Sequence, residues 1–207
     1  MNFDRVAPYY RRLETLVFGD RLQAARCVFV RQLPPFRRAL IVGEGDGRFL
    51  EQLRDAQPEL LVECIDASEE MLELARARVG DRYTQFIQAD IREAAFPAAR
   101  YDLVVTHFLL DCFEERQLRE VVEKLSAAAM SNAIWLVADF QKPVRGLRRA
   151  FGRLLIATMY LFFRSVAGLE ARRLVDYAPF LAAHGFILEK ESGAPNGMIR
   201  SQLWRHR

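Results

Sequence analysis

The sequence predicts a doubly wound α/β fold: a seven-stranded, mostly parallel sheet with an antiparallel last strand and helices on both faces. Three observations carry this. Short apolar runs alternate with helix-period segments from residue 38 onward, the pattern of a parallel sheet covered on both sides. The first run breaks into glycines at alternate positions, Gly43, Gly45 and Gly47. The last two runs are joined only by the turn-rich stretch from Ser192 to Gly197, too short for a crossover helix, so these strands should pair antiparallel.

In order along the chain, helices are expected before Pro34 and the first strand near 38–43. A helix follows near 47–56, a second strand over 61–66 and a helix over 68–79 that starts from Ser68 as N-cap with Glu69 and Glu70 in its first turn. Strands are placed near 84–89 and 101–107, a helix near 114–131, a strand near 133–139, a helix near 174–184, and strands near 185–191 and 198–205. At 207 residues and 51% apolar content the chain suffices for one α/β domain.

The glycine run ALIVGEGDGRFL is read as the cradle of a nucleotide-type ligand. Glycines there permit positive φ and a close backbone approach, and the helix that follows offers unpaired N–H groups to a negative group. An ordinary strand-turn-helix connection is the alternative. Asp66 ends the second strand 19 residues after Gly47, the spacing that returns a carboxylate beside such a loop, where it can accept ribose hydroxyls. As structure alone it would be a helix-capping acid. Asp90 and His107 end the third and fourth strands, and ligands in open parallel sheets sit outside the strands' carboxyl ends. All four features should therefore converge.

These motifs, with FDRVAPYYRRLE, CIDASEEMLELAR, FIQADI and YDLVVTHFLLD, resemble the class I S-adenosylmethionine-dependent methyltransferases of the small single-domain kind that includes the ubiquinone/menaquinone C-methyltransferases. The resemblance implies a Rossmann-like domain over 1–207, with S-adenosylmethionine (SAM) as methyl donor and S-adenosylhomocysteine (SAH) as product. Gly43, Glu44, Gly45 and Gly47 would carry the methionine portion and Asp66 the ribose, with Ala67 beside it. Asp90 would take the adenine amino group, with Ile91 beside the ring and Met71 on its other face, and His107 would close the site. The family has an acid two places before the first glycine, where this chain has Ile41; Glu44 is the candidate to meet the ligand's ammonium instead.

A nicotinamide-dependent oxidoreductase is the rival on the same architecture. Its loop needs G-x-G-x-x-G, and here Arg48 fills the place of the third glycine. A third reading is a non-catalytic methyltransferase-like binding or assembly module, prompted by Ile41.

A sulfonium methyl is already activated, so alignment in a dry pocket supplies much of the rate, and no protein nucleophile is needed. If a base assists, His107 is the first candidate, with Asp111 and Tyr10 next. His107 read as structure alone is a hydrogen-bonded histidine on an apolar strand. His184 and His206 carry no assigned role. Residues 1–33 are expected to form a helical cap bringing Tyr10 over the site.

Residues 142–173 form an insertion in which arginines surround the apolar run Leu154 to Phe163. Ten residues cannot span a hydrocarbon core, which needs about 20. The segment is read as a lid over an apolar acceptor, as a basic amphipathic helix making peripheral membrane contact through 145–164, or as a helix packed on the sheet. The small-molecule acceptor is accordingly expected to be bulky and apolar, lipid-like or aromatic.

Lys+Arg 30 against Asp+Glu 27 leaves a net charge of +3, too balanced to demand nucleic acid. Cys27, Cys64 and Cys112 lack zinc-type spacing, so no metal is expected. Cys64 reads as core, and Cys112 lies near the site. The opening residues lack an apolar export segment, which makes the expected location cytoplasmic.

Overall fold

The computed structural model describes residues 20–141, 174–193 and 197–207. The expected lid 142–173, with its membrane-contact segment, and Tyr10 of the cap lie outside the described residues. Helix α1 (Arg21–Cys27) and a 3₁₀ turn (Val30–Gln32) lead into β1 (Arg38–Val42), α2 (Arg48–Ala56), β2 (Leu61–Asp66), α3 (Glu69–Val79), β3 (Thr84–Gln88) and β4 (Tyr101–His107). A second 3₁₀ turn (Leu110–Cys112), α4 (Glu115–Ala128), β5 (Ala129–Phe140), α5 (Ala178–Ala183), β6 (Phe186–Gly193) and β7 (Ile199–His206) complete the order.

The strands form one sheet in the order β3-β2-β1-β4-β5-β7-β6. The first five pair in parallel, and β7 runs antiparallel between β5 and β6. This is the architecture the alternation and the short last turn predict.

Strands buried on both faces read as continuous apolar runs because each alternate side chain meets a different helix layer. On β1, Leu40 and Val42 pack with Leu118, Val122 and Leu125 of α4, whereas Ala39 and Ile41 pack with Phe49, Leu50 and Leu53 of α2. Each such large side chain, fully buried, is worth about 1.5–3 kcal/mol. Ile41, in the place of the family's acid, is thus a core residue, and so is Cys64, its register partner on β2.

Local signals set most helix ends. The Ser68 hydroxyl accepts the Met71 N–H at 3.3 Å, and Gly80 closes α3 with φ +69°. Two boundaries differ from expectation. Helix α4 stops at Ala128 and β5 starts at Ala129 rather than 133, because Ala129 turns extended and pairs with Tyr101 across a register shift, with Asn132 at φ +65°. Helix α5 starts at Ala178, with Pro179 in its first turn, rather than at 174, because a proline preorganises a helix start.

Candidate functional site

Register brings the strand tips level. Val42 pairs with Ile65 and with Thr106, Asp66 with Gln88, and His107 with Ala138. The residues that follow these tips therefore line one open cleft. Gly43, Glu44, Gly45, Asp66, Ala67, Met71, Asp90, Ile91 and His107 all stand on its wall. Of the residues expected to hold cofactor, Gly47 alone is not on that wall.

The three glycines divide the work. All have positive φ, at +71°, +72° and +82° for Gly43, Gly45 and Gly47, where a side chain is strained. A Cβ at Gly45 would meet nothing within 4 Å, so that direction is open space, whereas one at Gly47 would lie 2.7 Å from Ala75 Cα. Gly47 is a packing glycine that lets α2 approach α3.

Asp66 is the hinge of the loop. Its Oδ2 accepts the Gly45 N–H at 3.2 Å and its Oδ1 accepts the Ser68 N–H at 3.0 Å. A carboxylate held by two backbone donors is fixed in direction, with lone pairs left for further donors. Its neighbour Glu44 is buried, and its Oε1 accepts the Leu50 N–H at 2.9 Å, capping α2. Burial pushes its carboxyl up to about 7, against the downward pull of the Leu50 hydrogen bond and of Arg26.

Asp46, between the last two glycines, holds Arg48 through Nε at 3.0 Å and accepts from Arg78 at 3.5 Å. Arg48 is therefore committed to a loop carboxylate. Asp90 accepts from the Arg92 backbone N–H at 2.9 Å and from its guanidinium at 2.6 Å, and these bonds hold it down at about 2.

His107 is buried, edge-on to the Phe49 ring at 4.5 Å, and among the described residues its Nδ1 has no hydrogen-bond partner. Burial, and then the Arg26 charge, hold its pKa well below 6.5, so the imidazole is neutral at physiological pH. Asp111 is buried, does not line the cleft, and accepts from the Cys112 thiol at 3.6 Å. Burial pushes it up to about 6.

The sequence reading missed Arg26 and Phe108. Arg26 reaches the cleft from α1, its guanidinium 5.1 Å from the Phe108 ring centre, and Phe108 takes φ +54° where β4 ends. No spacing signal marks Arg26. Among the described residues no group of three or more His, Cys, Asp or Glu is placed to hold a metal ion.

An adenosyl amino acid suits this donor set. A fixed carboxylate stands at a strand tip, Gly45 opens toward the cleft, Met71 and Ile91 offer apolar surface, and Glu44 and Arg26 stand together as the loop's opposite charges.

Comparison with known proteins points the same way. Residues 39–131 match a family model described as a methyltransferase domain. The chain is 29% identical over 176 residues to a demethylmenaquinone methyltransferase of Roseiflexus sp. (strain RS-1), spanning 83% of this chain and 69% of that one. Among solved structures it resembles the N-methyltransferase NodS of Bradyrhizobium japonicum WM9, determined with SAH, at TM-score 0.61 and 14% identity over 96% of this chain and 88% of that one. It also resembles an S-adenosylmethionine-dependent methyltransferase of Mesorhizobium loti, at TM-score 0.67 and 19% identity over 89% of this chain and all of the other. The strand order and the glycine loop agree with these matches: the chain has the fold of the methyltransferase structures it resembles, and its residues 39–131 match a methyltransferase domain.

Proposed function

We propose that this enzyme methylates a small, largely apolar acceptor of the quinol or phenol type, with the donor held at the tips of β1 to β4. The observation that carries the reading is the Asp66 carboxylate tied to the Gly45 N–H beside an open Gly45 Cβ direction. Asp66 would accept the ribose hydroxyls and Asp90 the adenine amino group, with Ala67 beside the ribose. Ile91 and Met71 would flank the ring, and the loop from Gly43 with Glu44 would take the amino-acid end. When bound, SAM supplies an activated methyl on a sulfonium.

The apolar wall formed by Phe108, Leu109 and Phe113 supports an apolar acceptor, as does the likeness to a relative named for demethylmenaquinone. Excluding water and aligning the acceptor is this wall's contribution to rate. No helix among the described residues is long and apolar enough to cross a membrane.

For a proton-bearing acceptor the base candidate within reach is His107, which lines the cleft and is held neutral by its burial; Asp111 stands off the lining. The oxidoreductase reading is disfavoured because Arg48 is engaged by Asp46.

Mass spectrometry of cell extract incubated with the enzyme and methyl-labelled SAM tests the reading. One lipophilic phenolic product carrying the label is expected. Binding of NADH in place of SAH, or a labelled product that is polar and non-aromatic, would contradict it.

A further inference from the structure

The wall of the cleft carries four acidic side chains, Glu44, Asp46, Asp66 and Asp90, and among the described residues Arg26 is the only lysine or arginine on it. The arginines that answer two of these acids stand off the wall: Arg48 and Arg78 hold Asp46, and Arg92 holds Asp90. A negatively charged ligand group entering among such acids is repelled unless a cation meets it. Arg26 is placed to be that cation.

Its position is set from two sides. Arg26 stands in the last turn of α1, is 8% exposed, and carries its guanidinium over the Phe108 ring, 5.1 Å from the centre. Gln23, three residues earlier and so on the same helix face, donates from Nε2 to the Arg48 carbonyl at 3.0 Å and accepts from Arg26 Nη1 at 3.4 Å. One side chain thus ties the guanidinium to the end of the glycine loop, where α2 begins. The Ser201 hydroxyl, donating to the Ala25 carbonyl at 2.8 Å, holds α1 to β7 without using either side chain. The Arg26 charge also reaches the groups around it, pulling the Glu44 carboxyl down against its burial and adding to the lowering of His107. A guanidinium presents paired N–H donors in the plane that suits the two oxygens of a carboxylate. The carboxylate of the amino-acid end is the one negative group of SAM or SAH.

We propose that Arg26 is the binding residue for the carboxylate of the donor's amino-acid end, with Gln23 as its positioning residue. This rests on the methyl-transfer reading and deepens it. Glu44 takes the ammonium from within the loop, and α1 supplies the carboxylate's partner from outside the strand-and-helix units that hold the adenosine. With Ile41 buried in the core, the amino-acid end is held by charges on either side of the loop rather than by an acid of β1.

Calorimetry of the full chain with SAH and with decarboxylated SAH, which keeps the adenosine, the thioether and the amine, tests the assignment without any acceptor. Wild type should bind SAH more tightly than the decarboxylated compound. Arg26→Met keeps an unbranched stem against Phe108 and removes the charge. It should weaken SAH by about 10- to 150-fold, the loss of a charged hydrogen-bonding partner, and leave the decarboxylated compound nearly unchanged. Gln23→Ala leaves the charge but frees its direction, and should narrow the same preference by a smaller factor. Unchanged SAH affinity in Arg26→Met would overturn the proposal. So would equal losses for the two compounds, or a wild type that does not prefer SAH. A Gln23→Ala loss shared equally by both compounds would overturn the positioning role. If Arg26→Met does not fold, Arg26→Gln, polar but uncharged, decides by the same comparison. A wild type that binds neither compound would instead overturn the methyl-transfer reading.

Discussion

Gly47 and Ala75 meet backbone to backbone, and a Cβ on Gly47 would stand 2.7 Å from Ala75 Cα and 2.9 Å from its Cβ. Neither atom is the end of a flexible side chain, so α2 and α3 would have to separate. Left-handed strain at φ +82° adds to the overlap. Gly47→Ala should destabilise the fold by about 2–4 kcal/mol. Gly45→Ala, whose Cβ enters open space, should cost no more than about 2 kcal/mol of stability and chiefly weaken SAH binding. Denaturant unfolding and calorimetry on both variants separate the two roles; equal stability losses would contradict the division.

Glu44 should make stability fall as pH rises. Its carboxyl is raised to about 7 in the fold, so the native state holds a proton that the unfolded chain releases above its ordinary value. The stabilisation is full below about pH 4.5 and is lost as pH climbs through 7, a change of about 3 kcal/mol. Glu44→Gln should flatten that part of the stability profile relative to wild type, as read by urea unfolding from pH 4.5 to 8. If Glu44 meets the ammonium of SAH, binding at pH 6.5 should also release a proton, seen as a buffer-dependent binding enthalpy that Glu44→Gln abolishes.

Asp90 carries the opposite sign. Its hydrogen bonds to Arg92 hold it at about 2, so its contribution is present above the ordinary aspartate range and fades as pH falls from about 4 through 2. The pair is solvent-accessible, so Arg92→Ala should change stability by less than about 1 kcal/mol. The same variant should return the Asp90 titration toward its ordinary value, which carboxyl NMR reads directly. An unmoved Asp90 midpoint would mean that Arg92 does not hold it.

Much of this was legible in the sequence because the signals were local. Gly43, Gly45, Asp66, Asp90 and His107 follow or end apolar runs, and parallel register alone brings such tips together. Residues whose role depends on packing between distant elements were not legible. Gly47 looked like a ligand glycine because its contact, Ala75, belongs to another helix. Arg26 reaches the cleft only because α1 is moored to β7, where the Ser201 hydroxyl donates to the Ala25 carbonyl at 2.8 Å. The early start of β5 hid in Met130 to Asn132, a polar-edged stretch that continued the helical pattern of α4 until Ala129 turned extended.

The central claim is an adenosyl cleft gripped by Asp66, and calorimetric titration of SAH into wild type and Asp66→Ala tests it most directly. The account predicts that wild type binds SAH and that the folded variant binds about 5- to 150-fold more weakly, the equivalent of losing 1–3 kcal/mol. A wild type that does not bind SAH, or an Asp66→Ala variant that binds it as tightly as wild type, would contradict it.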